Sequence, residues 1–168
     1  MSYNGKKINI IAAVDKNWAI GYNNKLLISI PEDMKLFMQM TTGGVCIMGR
    51  GTLDSLPAGK PLNNRVNIVL TRDKSLKESD AVIVHGVEEA LLQLSEYEGD
   101  VYIIGGESIY RQFLPYTDTA YITYIDYAYQ ADRYFPKLDD NKEWKMTEES
   151  EEQTYFNVEY YYRKYERL

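Results

Sequence analysis

The sequence is poor in the residues that carry metal and redox chemistry. It has one cysteine, Cys46, and one histidine, His85, among 168 residues. A single cysteine excludes an internal disulfide framework and any cysteine-rich zinc site, and a single histidine excludes a two-histidine pair of the H-E-x-x-H kind. A reducing, cytoplasmic setting is the expectation. Long apolar runs are missing too, since none approaches the ~20 residues of a membrane helix. The start, Met1 to Lys7, is polar, and the run Ile8 to Val14 is too short and strand-like for a signal peptide. Positive charge is in deficit, with Lys+Arg 19 against Asp+Glu 25 and a net of −6. That argues against a DNA or RNA binder, which needs a basic face, but leaves room for a small anion where local charge opposes the net sign.

What is present reads as one α/β domain. A chain of this length buries roughly 70% of its unfolded surface and needs no staple. Apolar, β-rich runs at Ile8–Val14, Val45–Gly49, Val66–Thr71, Ala81–Val84, Val101–Gly105 and Thr119–Asp126 are mostly continuous rather than alternating, as in strands buried on both faces of a parallel sheet. Helical spacing over Glu32–Thr42, Thr52–Leu56, Val87–Tyr97 and Ser108–Leu114 falls between them, which predicts right-handed crossovers. The tail, Lys145 to Tyr165, reads as a closing antiparallel hairpin. Phe156, Val158, Tyr160 and Tyr162 lie on its inward face, and Glu148 to Glu152 form a solvated acidic turn.

Two strands end in glycine and run into a helix: Gly49-Arg50-Gly51-Thr52 and Gly105-Gly106-Glu107-Ser108. Glycine lets backbone approach a ligand, and the following N–H groups can face a phosphate. Neither turn matches G-x-G-x-x-G, so a Rossmann fingerprint is absent. Alone, each reads as a tight connection; at matching strand ends, dinucleotide binding becomes an equal reading. Pro31 suits the first position of a helix, and Asp33, Phe37 and Thr41 fall on one stripe, with Met40 close by. Asp33 reads either as helix-start decoration stabilised by the dipole or as a functional acid beneath the long loop Trp18–Ile30. Cys46 reads as a small core residue and His85 as a surface residue.

The ordered set of these motifs resembles the dihydrofolate reductase family over essentially the whole chain. Its parts are Ala19-Ile20-Gly21 with Asn24, Ile30-Pro31-Glu32-Asp33-Met34 with Phe37, and Ile47-Met48-Gly49-Arg50 with Thr52. They continue with Pro61-Leu62-Asn63-Asn64-Arg65, Ile104-Gly105-Gly106 with Tyr110, Tyr121-Ile122-Thr123 and Phe135-Pro136. The resemblance implies a central eight-stranded, mostly parallel sheet with an antiparallel C-terminal strand and about four flanking helices. An adenosine-binding part would span roughly residues 45–105. It implies NADPH-dependent reduction of 7,8-dihydrofolate to 5,6,7,8-tetrahydrofolate, in support of one-carbon metabolism and thymidylate synthesis, and antifolates as inhibitors; a monomer is the default expectation at this size.

By the same resemblance the catalytic set is Asp33, Thr123 and Leu26. The substrate would meet Ala13, Asp33, Phe37, Leu56, Leu62, Ile104 and Thr123, with Arg65 forking its glutamate carboxylate. The cofactor would meet Ala13, Ile20, Gly21, Asn24, Gly49, Arg50, Thr52, Thr71, Arg72, Ile104, Gly105, Gly106, Ser108 and Tyr110, across a cis Gly-Gly peptide. Arg50 and Arg72 would face the 2′-phosphate, and burial would raise the pKa of Asp33. The sequence departs from the family at Leu27-Ile28, where many members have Pro-Trp, and at Gly51, which is often basic. The rivals are the related reductase domain of riboflavin synthesis, which needs neither Asp33 with Phe37 nor Arg65, and a non-catalytic nucleotide-binding module.

Overall fold

The computed structural model describes residues 5–78 and 80–168, so the polar start at residues 1–4 lies outside it. In chain order the elements are β1 (Ile8–Val14), β2 (Ala19–Gly21), α1 (Pro31–Thr41), β3 (Val45–Gly49), α2 (Arg50–Ser55), β4 (Val66–Leu70) and β5 (Val82–Val84). There follow α3 (Val87–Gln93), β6 (Val101–Gly105), α4 (Glu107–Phe113), β7 (Thr119–Ile125), β8 (Arg133–Tyr134), β9 (Trp144–Glu149), β10 (Gln153–Tyr155) and β11 (Val158–Arg167). The main sheet runs β10-β11-β7-β1-β6-β3-β4-β5. From β7 to β5 every pairing is parallel, and β11 closes antiparallel on β7. β9 and β10 pair in turn with opposite halves of β11, so they share one edge position and the sheet has the eight positions expected.

The strand sequences explain the layering. β3 is buried at every residue, and Ile8, Ile10, Ile47, Ile68, Ile103 and Ile122 form the centre of the main core. A fully buried side chain of this size contributes about 1.5–3 kcal/mol. Cys46, Met48, Leu53 and Val69 make a second cluster. Burial pushes the Cys46 thiol up to about 12, which leaves it a small apolar filler. Among the described residues no helix is long and apolar enough to cross a membrane.

Four local expectations change. The helix after β3 starts at Arg50, directly after Gly49, and Thr52 makes no capping bond. The loop Trp18–Ile30 contains β2, paired with β8. Trp18 is buried against Phe135 and Tyr165, because a large ring anchors the loop base in the core. Phe156 is 82% exposed with φ +54, since it sits at the hairpin turn and cannot point inward. Glu148 and Glu149 belong to β9 and pair with Lys164 (3.4 Å) and Arg163 (2.7 Å) across the hairpin; only residues 150–152 interrupt it. At the end of β1, buried Asp15 accepts hydrogen bonds from the N–H groups of Asn17 (2.8 Å), Ala19 (2.9 Å) and Tyr129 (2.9 Å).

Candidate active site

Strands of a parallel sheet leave a crevice beyond their carboxyl ends, at the point where strand order reverses. Here β1 sends its crossover to one side and β7 lies on the other, with α1 above. The crevice is a cavity of about 1000 Å³, lined by Ala13 of β1, Ile104 of β6, Thr123 of β7 and the α1 face bearing Asp33, Leu36, Phe37 and Met40. The lining is mostly apolar around Asp33. Its neighbour Glu32, one residue and about 100° away on the helix, is exposed beside Lys35 at 3.7 Å.

Thr123 Oγ1 donates to Asp33 Oδ1 at 2.7 Å. Burial raises the Asp33 pKa above the ordinary carboxylate value, and the threonine bond opposes that rise without cancelling it. This is the balance expected when desolvation outweighs a helix dipole worth under ~1 kcal/mol. A carboxyl whose pKa is raised in this way can bind an amidine-like edge and deliver a proton.

The second half of the site is made of backbone. β3 and β6 lie side by side with Met48 opposite Gly105, which brings the two glycine turns together. The Gly105–Gly106 peptide is cis, as the resemblance implies. Gly105 has φ +121, and a Cβ there would lie 3.3 Å from the Tyr110 hydroxyl and 3.4 Å from Thr52 Oγ1. A Cβ on Gly49 would lie 3.0 Å from Ile109 Cγ1. Side chains at these positions would crowd Ile109, Tyr110 and Thr52, so glycine is what lets the turns pack this closely. Between the halves, the buried Tyr110 hydroxyl donates to the Ile11 carbonyl at 2.7 Å, and burial pushes its phenol well up.

The cavity brings together Ala13, Asn24, Leu26, Asp33, Phe37 and Thr52, then Leu56, Ile104, Tyr110 and Thr123. Leu26 is 58% exposed at the edge of the cavity and its side chain carries no titratable group. The other expected residues lie outside this lining. Ile20 packs on the main core and Leu62 on the second cluster. Gly21 is buried in β2. Gly49, Arg50, Thr71, Arg72, Gly105, Gly106 and Ser108 follow the strand ends on the β3–β4–β6 side.

Two of the three arginines are not held out for ligands. Arg50 is paired with Asp54 (3.2 Å) and Asp73 (3.4 Å). Arg65 donates to Thr41 Oγ1 (2.8 Å), Thr42 Oγ1 (3.3 Å) and the Asn63 carbonyl, closing the C-terminal end of α1. Arg72 is exposed, and His85 Nδ1 lies 2.8 Å from the Thr71 carbonyl oxygen. Sequence reasoning missed Leu36, although it shares the helical face of Asp33. It also missed Ser29, and it placed Tyr162 facing inward without joining it to the site.

A family profile described as dihydrofolate reductase matches residues 7–167. The chain is 39% identical over 166 residues to a dihydrofolate reductase of Staphylococcus haemolyticus, covering 96% of each. It is 36% identical over 139 residues to that of Bacillus subtilis, covering 83% of this chain and 80% of the other. Among solved structures it superposes on dihydrofolate reductase from Enterococcus faecalis complexed with NADP(H) and RAB-propyl. That match has a TM-score of 0.87, 29% identity and 96% coverage of both chains.

Proposed function

The chain belongs to the dihydrofolate reductase family and reduces 7,8-dihydrofolate to 5,6,7,8-tetrahydrofolate with NADPH; on that premise we propose that Asp33 is the acid that binds the pteridine and moves a proton toward its N5. The observation that carries this reading is the Asp33–Thr123 hydrogen bond inside an otherwise mainly apolar cavity. A protonated carboxyl is a donor to one ring nitrogen, and an ionised one accepts from the amidine edge; both roles need the same orientation, which Thr123 fixes. Phe37, Leu56 and Ile104 offer flat and branched apolar surface to the pterin and benzoyl rings. The same cavity suits antifolates that present a cationic amidine edge to Asp33.

NADPH supplies the hydride for pterin C6 when bound. The glycine turns fit it, because Gly105 and Gly106 bring backbone beside the Thr52 hydroxyl, where diphosphate oxygens would be held. Arg50 and Arg72 take the 2′-phosphate, with Arg50 exchanging part of its contact with Asp54 and Asp73. Arg65 takes the glutamate carboxylate through its outer nitrogens while its Nε stays on Thr41. Residues 45–105 serve as the adenosine-binding part of one monomeric domain, and the setting is cytoplasmic.

NADPH oxidation with and without dihydrofolate, in the parent and in Asp33→Asn, tests the assignment. Asp33→Asn should keep part of its ligand binding and lose at least about 100-fold in turnover at pH 7, the usual range for a removed acid. Turnover like the parent's would exclude Asp33.

A further inference from the structure

The guanidinium of Arg65 is engaged on every nitrogen. Nε donates to Thr41 Oγ1 (2.8 Å) and Nη1 to the Asn63 carbonyl. Nη2 faces three acceptors at the end of α1: the Met38 carbonyl (3.4 Å), Thr42 Oγ1 (3.3 Å) and the Met38 thioether, Sδ (3.2 Å). The Thr41 and Thr42 hydroxyls donate to the Phe37 and Met38 carbonyls (2.8 and 2.6 Å), which leaves both oxygens free to accept from Arg65. The thioether is the weakest acceptor of the set, and its stem is unbranched and flexible. A carboxylate that forks the two outer nitrogens has to displace part of this set, and the sulfur yields most readily. Met38 is also 43% exposed, whereas Met48 is wholly buried.

We propose that Met38 is an oxidation site, and that its conversion to the sulfoxide holds Arg65 back from the substrate's carboxylate tail. This rests on the assignment of Arg65 to that carboxylate. Met38 acts through Arg65 and is a positioning residue. The oxidant is hydrogen peroxide. An S–O bond forms as the O–O bond breaks, the sulfur gives up two electrons, and the second peroxide oxygen leaves as water. The product carries a strongly accepting oxygen one bond from a sulfur that already lies 3.2 Å from Nη2. That oxygen competes with the carboxylate for the same N–H groups, where the thioether merely gave way. The one cysteine does not divert the oxidant, because Cys46 is buried and its thiol, pushed up to about 12, supplies no thiolate.

Steady-state kinetics before and after brief peroxide treatment, with the oxidant removed, test the proposal on two substrates: dihydrofolate, and a dihydropterin without the benzoyl-glutamate tail. Tandem mass spectrometry reads which methionines have gained oxygen. The treated parent should carry a sulfoxide at Met38. Its KM for dihydrofolate should rise about three- to tenfold, while kcat and the KM for the tail-less pterin stay put. Met38→Gln, whose amide carbonyl places a strong acceptor at the same point, should reproduce the rise without peroxide. Met38→Leu has no sulfur to oxidise and should lose the response, whereas Met34→Leu, at the other exposed methionine of α1, should keep it. A rise that persists in Met38→Leu, a Met38 sulfoxide without a rise, or a Met38 left unmodified each overturns the proposal. Arg65→Gln separates the two readings. A loss of at least about tenfold for dihydrofolate alone upholds the carboxylate assignment whatever Met38 does. Parent-like use of both substrates removes that assignment, and this proposal with it.

Discussion

The two ends of the cleft handle charge in opposite ways. At the α1 end one carboxyl, Asp33, is buried, and a single hydroxyl 2.7 Å away fixes it. At the β3–β6 end the two turns meet as glycine backbone, and the nearby cation, Arg50, is half-exposed and shared between two aspartates. Burial makes each polar contact at the first end count heavily, because low dielectric magnifies both the bond and its loss. Exposure makes each charge at the second end replaceable, because surface ion pairs contribute about 0–1 kcal/mol. Polar contact is therefore concentrated in one buried side chain at the first end and spread over backbone and weak, exposed charges at the second.

Asp33→Asn should break this contrast most severely, through the turnover loss given above, and it has a thermodynamic counterpart. Folding raises the proton affinity of Asp33. As pH climbs from the ordinary carboxylate range through the raised value, the folded protein retains a proton that the unfolded chain has released, so stability falls and then levels. Asp33→Asn should consequently melt above the parent at neutral pH, with a gain that shrinks as pH is lowered into the ordinary range. Thermal melts across pH check it, and a gain that grows toward acid would refute the burial argument.

Gly105→Ala attacks the other end. A Cβ at φ +121, close to Tyr110 and Thr52, should cost about 1–3 kcal/mol in denaturant unfolding and weaken NADPH more than dihydrofolate. Thr123→Val keeps the volume near Asp33 but removes its donor. We expect the pH midpoint for hydride transfer to rise by about one unit and kcat/KM at neutral pH to change within about tenfold. The smallest effects belong to the exposed charges. Replacing Arg50 and Arg72 together should cost NADPH affinity well beyond NADH affinity, whereas Asp73→Asn, which frees Arg50, should improve NADPH binding by a few-fold at most. Equal losses for the two cofactors would remove the arginines from 2′-phosphate recognition.

The same contrast governs what could be read without coordinates. β1, β3 and β6 coincide with their apolar runs, because strands buried on both faces leave an uninterrupted signature. Asp33 was legible from Pro31 at the helix start and from its stripe with Phe37. Partnerships between distant segments were not. Nothing local announces that Arg50 meets Asp73, that Arg65 turns toward Thr41, or that β2 pairs with β8. Phe156 fits an alternating strand pattern until the turn that holds it is known. Tyr162 could be assigned a face from its alternation, but its cavity depends on the register between β11 and β7.

Asp15 has a mechanical consequence. Its carboxylate clasps N–H groups from Asn17, Ala19 and Tyr129, so the root of the loop and the chain after β7 are fastened to one pivot at the end of β1. Further out, Tyr22 and Lys25 exchange two backbone hydrogen bonds (3.0 and 3.1 Å), which stiffens the tip into a short arm. Asn23 N–H also donates to Asp132 (3.2 Å) and Gln130 Nε2 to the Tyr22 hydroxyl (3.0 Å), so the turn that leads to Leu26 is tied to the chain after β7 as well. Loosening the pivot, as in Asp15→Asn, should release both segments at once while leaving the Asp33–Thr123 pair in place.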